Sequence, residues 1–157
     1  MGLNGRPNYV RDDIHKKTVL GRFGWKANQP SIKQQIAAAF LADVGVTSAV
    51  YPEQSCTPVQ KECLAALKGD KPELRPELWE SLTFWSQSLD VPAQRNRDKP
   101  EFKAGEKLFE SAGCSGCHVP EMRTGKYPAV PQIANKLIRP YTDLLLHDMG
   151  PDLADGR

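Results

Sequence analysis

The motif that decides how this chain is interpreted is Gly113-Cys114-Ser115-Gly116-Cys117-His118. Two cysteines separated by two residues and followed directly by a histidine form the attachment motif of a c-type haem. The thiols add across the two vinyl groups of the porphyrin, and the imidazole ligates the iron from the proximal side. The motif therefore predicts one covalent haem c, bound by Cys114, Cys117 and His118, with His118 as an axial ligand of the iron.

The second axial position of the iron separates electron transfer from ligand or peroxide chemistry. Met149 lies 31 residues after His118, in the run Leu144-Leu145-Leu146-His147-Asp148-Met149-Gly150, whose three leucines could line a haem edge. Met122 follows His118 by only four residues, which is too close to reach the opposite face of the haem. We predict Met149 as the sixth ligand, with His147 as the alternative. If both belong to the apolar packing, the iron is open or water-bound.

Composition bounds the class of protein. The 157 residues suffice for one ordinary domain or two very small ones, and 39% hydrophobic with 25% charged residues is a globular composition. The 21 basic and 19 acidic residues are spread along the chain, so no nucleic acid partner is expected. No apolar run approaches the roughly 18 residues of a membrane span. Because c-type haem is attached outside the bacterial cytoplasm, we expect a periplasmic protein whose signal peptide is not present in this chain.

Helical signals dominate the chain. Residues 1–24 are interpreted as extended or looped, and capping boxes or apolar stripes then predict helices over residues 31–45, 57–68, 77–91 and 102–112. The third carries a stripe formed by Leu78, Leu82, Trp85 and Leu89. The expected fold is mainly α, with little or no sheet. A polar linker over residues 94–100 divides it into a helical segment, residues 1–97, and a haem-binding domain, residues 98–157.

Cys56 and Cys63 lie close enough in the sequence to form a disulfide that joins a loop to the helix after it. We favour this pairing because a haem-attachment motif implies an oxidising compartment. The alternatives are two reduced, buried thiols, or a four-cysteine zinc site that also includes Cys114 and Cys117.

Two further places are candidates for haem chemistry. The run Gly21-Arg22-Phe23-Gly24-Trp25-Lys26 sets aromatic and basic residues between glycines, so Trp25, Arg22 or Lys26 could approach a haem or its propionates. The other interpretation of this run is a surface loop anchored by its rings. His15 is a candidate for the distal acid or base that peroxide cleavage needs, although nothing in the sequence places it at a haem.

Several segments together resemble one family: residues 21–27, the Cys56/Cys63 pair, residues 89–92, residues 113–120 and, most distinctively, residues 138–150. This is the di-haem oxidoreductase family, also labelled thiol oxidoreductases and similar to bacterial di-haem cytochrome c peroxidases. The resemblance implies two attachment motifs on two cytochrome c-like domains. Since this sequence has one motif, we expect a fragment with the inter-domain region and an incomplete second haem domain, the other haem lying elsewhere in the full-length protein.

Three functions follow from these observations. The first is a haem c electron relay between a donor and an acceptor, either a second haem domain or another redox protein. The second is a peroxidase-like di-haem enzyme in which this haem supplies electrons to a second, open haem. The third is a haem-free dithiol or zinc-binding domain, in which His118 and the segment around Met149 would have no use.

Overall fold

The computed structural model describes residues 5–89 and 92–154, which belong to two compact units. One unit is Asn8–Gln87, and the other combines Met1–Pro7 with Ser88–Arg157, as far as these are described. Helix accounts for 35% of the structure and strand for 11%, in four α-helices and two small two-stranded sheets. The prediction of a mainly α protein is confirmed at this level. The predicted boundary after residue 97 stays a prediction.

The unit Asn8–Gln87 begins with a hairpin. Strands β1 (Tyr9–Asp12) and β2 (Lys17–Leu20) pair antiparallel, with Tyr9 opposite Leu20 and Asp12 opposite Lys17. The sequence predicts only extended or looped chain here, because each strand has four residues and no pronounced alternation. The first four residues of the predicted stretch lie outside the described part of the chain.

Helix α1 (Ile32–Val44) begins and ends where its capping residues predict. The Ser31 hydroxyl accepts a hydrogen bond from the Gln34 backbone N–H at 3.2 Å, which satisfies a donor that has no partner inside the helix. At the other end Gly45 takes the left-handed conformation, with φ of 69°, and its N–H donates to the Leu41 carbonyl. Both signals are local, so the sequence alone is enough to find them.

The core of this unit is small and joins α1 to α3 (Pro76–Ser88). Ala37, Leu74 and Trp79 are its buried apolar residues. The Trp79 indole N–H donates to the Lys33 carbonyl at 2.9 Å, and the Lys33 ammonium lies 4.7 Å from the Trp79 ring centroid and pairs with Glu80. Helix α3 is therefore fixed to α1 by both apolar burial and polar contacts.

The predicted apolar stripe of α3 is wrong about which face is buried. The buried side chains of α3 are Trp79 and Thr83, with Leu82 packed against the core, whereas three of the four stripe residues are exposed: Leu78, Trp85 and Leu89. An indole needs both a large apolar contact and an acceptor for its N–H, and α1 supplies both to Trp79. The predicted end of this helix at Val91 lies outside the described residues.

Helix α2 (Lys61–Ala65) is much shorter than the predicted helix over residues 57–68. Gln60 Oε1 accepts from the Thr57 N–H at 2.7 Å and from its hydroxyl at 3.0 Å, so one half of the predicted capping box forms. The Thr57 hydroxyl does not cap the helix, which begins only at Lys61. Every residue from 57 to 71 is exposed. A helix this short with no buried face gains little from packing, which explains its single turn.

A disulfide and a polar anchor hold the exposed segment between residues 55 and 72. Cys56 and Cys63 form the disulfide, with Cα atoms 5.8 Å apart. At the base, the Glu73 carboxylate accepts from the Thr47 backbone N–H and hydroxyl, both at 2.8 Å, and from Gln54 at 3.3 Å. The hydrogen bonds from Thr47 outweigh the desolvation of Glu73, so the pKa of this carboxyl lies below its usual value.

The second unit is built around helix α4 (Pro100–Ser111), which begins with proline in its first turn. A short 3₁₀ turn, Cys114–Gly116, follows, and strands β3 (Met122–Arg123) and β4 (Leu137–Ile138) pair antiparallel. Two further 3₁₀ turns are Pro131–Ile133 and Pro151–Leu153. Among the described helices, none is long and apolar enough to cross a membrane.

Substitution of a buried residue tests the core of the unit Asn8–Gln87. Leu74 is 2% exposed and Leu67 is 103% exposed. The same substitution at the two sites therefore isolates the contribution of burial to the free energy of unfolding. We expect Leu74→Ala to lower the free energy of unfolding by about 2–5 kcal/mol. Leu67→Ala is expected to change it by no more than about 0.5 kcal/mol. Urea unfolding followed by tryptophan fluorescence measures both, and equal effects would contradict the assigned core.

The second prediction concerns the ionisation of Tyr51. Its hydroxyl donates to Asp13 Oδ2 at 3.1 Å, and burial together with the Asp13 carboxylate raises the pKa of Tyr51 to about 12. A pKa raised above the unfolded value of about 10 stabilises the fold below pH 10, and this contribution is lost as pH rises through 12. An ultraviolet titration should show one tyrosine ionising near pH 12, and Tyr51→Phe should remove that step. If the Tyr51→Phe protein still shows the ionisation step near pH 12, that step belongs to another tyrosine.

Candidate haem site

The predicted attachment motif lies directly after α4 on one tight turn. Gly113 ends the helical region with φ of 78°, a conformation that glycine adopts without steric cost. The backbone then forms the 3₁₀ turn, and the N–H groups of Cys117 and His118 donate to the Cys114 carbonyl at 3.3 and 3.0 Å. The two thiols and the imidazole are therefore carried by a single turn of backbone.

The His118 ring is oriented by a backbone carbonyl. Its Nδ1 lies 2.9 Å from the Tyr141 carbonyl oxygen, and since that oxygen can only accept, Nδ1 carries the proton. The Nε2 lone pair is then available to a metal, as in most histidines that ligate metals. The Phe109 ring lies 6.3 Å from the imidazole and 5.5 Å, edge-on, from the Tyr141 ring.

Residues 141–147 form a second layer over the motif. The Asp143 N–H donates to the Cys117 carbonyl at 3.1 Å, a second backbone contact beside the one to His118. The far end of this segment pairs with the start of the chain, because Arg6 and Leu146 exchange backbone hydrogen bonds of 2.8 and 2.9 Å. A Cβ on Gly5 would come within 2.8 Å of Leu145 and His147, so this pairing needs glycine at position 5.

The two thiols of the motif have different surroundings. Cys117 Sγ lies 3.7 Å from His147 Nδ1, and His147 Nε2 lies 2.7 Å from Asp143 Oδ2. The His147 and Asp143 side chains are each only 16% exposed. Cys114 is exposed, whereas Cys117 is half-buried. Asp143 is a residue of this site that was not predicted from the sequence, although its four-residue separation from His147 was a possible signal.

The two candidates for the sixth ligand lie close together in the sequence but in different environments. Met149 is 68% exposed. Both ring nitrogens of His147 face groups of this chain, Asp143 on one side and Cys117 on the other. His147 would have to give up one of these contacts to ligate a metal, whereas Met149 would not.

A cleft of about 690 Å³ lies beside the motif, and its size falls within the range of cofactor and ligand pockets, roughly 300–1,000 Å³. Phe109 and Tyr141 line it and also contact the His118 region. Its apolar lining is completed by Phe102, Gly105 and Pro120, and its charged residues are Glu101, Glu106, Glu110, Glu121 and Arg139. Arg139 pairs with Glu121 at 2.6 Å, so the charge of the lining is mainly negative.

The other predicted haem contacts belong to the unit Asn8–Gln87. Trp25 is fully exposed, and Arg22 and Lys26 are exposed beside it. His15 contacts Asp12. The Asp12 carboxylate accepts from the His15 imidazole at 2.7 Å and from the His15 backbone N–H at 2.9 Å. Burial opposes ionisation of Asp12, but these hydrogen bonds and the attraction to His15 outweigh it and lower the pKa of the carboxyl.

Comparison with known proteins decides the family. A family model described as "di-haem oxidoreductase, putative peroxidase" matches residues 1–157. The chain belongs to the di-haem oxidoreductase family. No curated protein and no solved structure gives a significant match.

The residues of this di-haem oxidoreductase fit a c-type haem. Two thiols and an imidazole with a free Nε2 are carried on one turn, which is the donor set that covalent haem attachment requires. The structure gives no support to the four-cysteine zinc site, since Cys56 and Cys63 are bonded to each other. Within residues 5–89 and 92–154, no cluster of three or more histidine, cysteine or acidic side chains could hold a metal ion.

Proposed function

We propose that this di-haem oxidoreductase chain attaches one haem c through Cys114 and Cys117, with His118 as the proximal ligand, and relays single electrons to and from it. The observation that carries the proposal is the hydrogen bond from His118 Nδ1 to the Tyr141 carbonyl. It fixes the tautomer in which Nε2 is the ligand nitrogen.

When bound, the haem supplies a one-electron redox couple whose potential depends on the axial ligands and on the polarity around them. The chain contributes binding and orientation. Cys114 and Cys117 would hold the haem covalently, His118 would ligate its iron, and Phe109 would offer an aromatic face next to the imidazole. In this proposal residues 98–157 form a cytochrome c-like haem-binding domain, preceded by the helical segment 1–97.

Met149 is the sixth ligand in this proposal. His147 is the weaker candidate because both of its ring nitrogens already contact this chain. Met149 is 68% exposed and lies two residues after the segment 141–147 that contacts the motif. Thioether ligation raises the haem potential and closes the iron to small ligands, which favours electron relay over catalysis at this haem.

The electron partner is a second haem domain or a separate redox protein, and the location is the periplasm. The disulfide between Cys56 and Cys63 supports an oxidising compartment. The family description favours a second candidate, a peroxidase-like di-haem enzyme in which this haem supplies electrons to an open haem elsewhere in the full-length protein. The two candidates share the same role for the haem of this chain.

Haem binding is tested by exporting the chain through a cytochrome c maturation system. We expect one covalent haem per chain, measured by pyridine haemochrome absorbance and iron analysis. A variant with Cys114→Ser and Cys117→Ser is expected to carry none, since it keeps His118 but has no thiols. Absence of covalent haem in the wild-type chain would overturn the proposal and favour the dithiol function.

The sixth ligand is tested on the same exported protein. Met149→Ala should lose the low-spin spectrum and lower the reduction potential, because a weaker ligand or water replaces the thioether. Met122→Ala is the matched control and should change neither property. A Met149→Ala protein that keeps its low-spin spectrum and potential would exclude Met149 as the ligand.

A further inference from the structure

The disulfide between Cys56 and Cys63 closes the exposed segment between residues 55 and 72, outside the apolar core of its unit. We propose that this disulfide is a redox-sensitive switch. A thiol opens it by attack on Cys63, helix α2 then loses its helical turn, and the rest of the unit Asn8–Gln87 keeps its fold. The inference goes beyond the proposed haem function and does not depend on it, because this unit has a core of its own.

The two bonded cysteines differ in exposure. Cys63 is exposed, whereas Cys56 is half-buried. In thiol–disulfide exchange a thiolate must reach one sulfur and displace the other, so access decides which sulfur is attacked. The residues around Cys63 in the chain, from 57 to 71, are all exposed as well. The structure therefore favours Cys63 as the attacked residue and Cys56 as the leaving group.

Helix α2 has little support besides the disulfide. It has five residues and buries none of them, and its N-cap residue Gln60 gives it no side-chain capping bond. Isolated helices shorter than about 12–15 residues are marginal in water, because nucleation costs more than a single turn returns. The backbone hydrogen bond from Leu64 to Gln60 stays within the segment. The bond from Cys63 to Cys56 is therefore the contact that fixes this helix to the chain before it.

An ion pair is the other contact that reaches the segment from residues before it. The Lys68 ammonium lies 3.2 Å from the Glu53 carboxylate, with side chains 41% and 68% exposed. Ion pairs this exposed contribute little to stability, because water and salt screen the charges. The pair therefore does not replace the disulfide as support for α2.

Contacts at the base of the segment hold its two ends together independently of the disulfide. The Glu73 carboxylate accepts from Thr47 and from Gln54. The Leu74 N–H donates to the Thr47 carbonyl at 2.9 Å, and Leu74 belongs to the core. None of these residues lies between 57 and 71. Opening the disulfide lengthens the loop that these contacts close, and the entropy cost of closure rises only slowly with loop length.

The chemical step is balanced with a thiol as the reductant. A thiolate attacks Cys63 Sγ, the S–S bond breaks, and Cys56 leaves as a thiolate that takes up a proton. A second thiolate then attacks the sulfur newly bonded to Cys63, which releases Cys63 as a thiol and forms the disulfide of the reductant. Two thiols are oxidised by two electrons in total, and the protein disulfide is reduced to two thiols.

The first experiment identifies the attacked sulfur. The folded chain is incubated with reduced glutathione, quenched with excess iodoacetamide and digested with trypsin, which separates the two cysteines by cleavage after Lys61. By mass spectrometry we expect glutathione on Cys63 and the blocking group on Cys56, in roughly tenfold excess over the reverse pattern. The same incubation in denaturing urea is the control and should remove the preference. A preference for Cys56, equal labelling or no exchange in the folded chain would overturn the inference.

The second experiment measures how far the change spreads. The double variant Cys56→Ala, Cys63→Ala represents the open state, and hydrogen exchange is followed by mass spectrometry. We expect exchange in α2 to accelerate by about tenfold or more, and exchange around Leu74 and Trp79 to stay unchanged.

Thr47→Ala is the matched control for hydrogen exchange, because it removes a hydroxyl contact at the base and leaves the disulfide in place. Exchange in α2 should not change in this variant. Faster exchange throughout the unit of the double variant would show that the disulfide stabilises the whole unit, and unchanged exchange in α2 would show that the helix does not need it. Either result overturns the inference. Both experiments give their result whether or not haem is attached, so failure of the proposed function is seen separately.

Discussion

Orientation of the motif by the backbone of residues 141–143 is the constraint on which the rest of the site depends. A three-residue 3₁₀ turn fixes where the thiols and the imidazole begin, but it cannot fix the rotation of the His118 ring. The Tyr141 carbonyl fixes that rotation, and the Asp143 N–H attaches the same segment to Cys117. Together with the contact of His147 with Cys117, these bonds hold residues 141–147 against the motif.

The two units differ in how much apolar core they have. The unit Asn8–Gln87 has an apolar core of its own, centred on Ala37, Leu74 and Trp79. In the described part of the other unit Val130 is the one buried hydrophobic residue, and α4 buries none of its side chains. A cofactor with a large apolar surface would supply what this unit's own side chains do not. In the proposed function, haem would therefore contribute to folding as well as to redox chemistry.

The sequence predicted best what depends on neighbouring residues. Ser31 and Gly45 define α1 because capping is a contact within one turn. The Cys114–His118 motif is local in the same sense, and it lies on one turn, but its attachment of haem stays a prediction. Prediction from the sequence failed where a contact with a distant residue determines which side chain is buried. Trp79 is buried because Lys33 on another helix offers its carbonyl, and no pattern within α3 shows this. The contact between His147 and Cys117 could not be predicted from residue spacing for the same reason, because the two residues are thirty positions apart.

The contacts that orient the motif have a consequence for how the family can vary. The acceptor for His118 is the carbonyl of residue 141, and the donor to Cys117 is the N–H of residue 143. Neither group belongs to a side chain, so exchanging Tyr141 or Asp143 for most other amino acids leaves both bonds available. Proline is an exception at both positions, because at 143 it has no N–H and at 141 it cannot adopt the φ of 50° that Tyr141 has, a conformation that also strains β-branched residues. The turn that carries Cys114, Cys117 and His118 can therefore keep its geometry while the side chains at positions 141 and 143 vary.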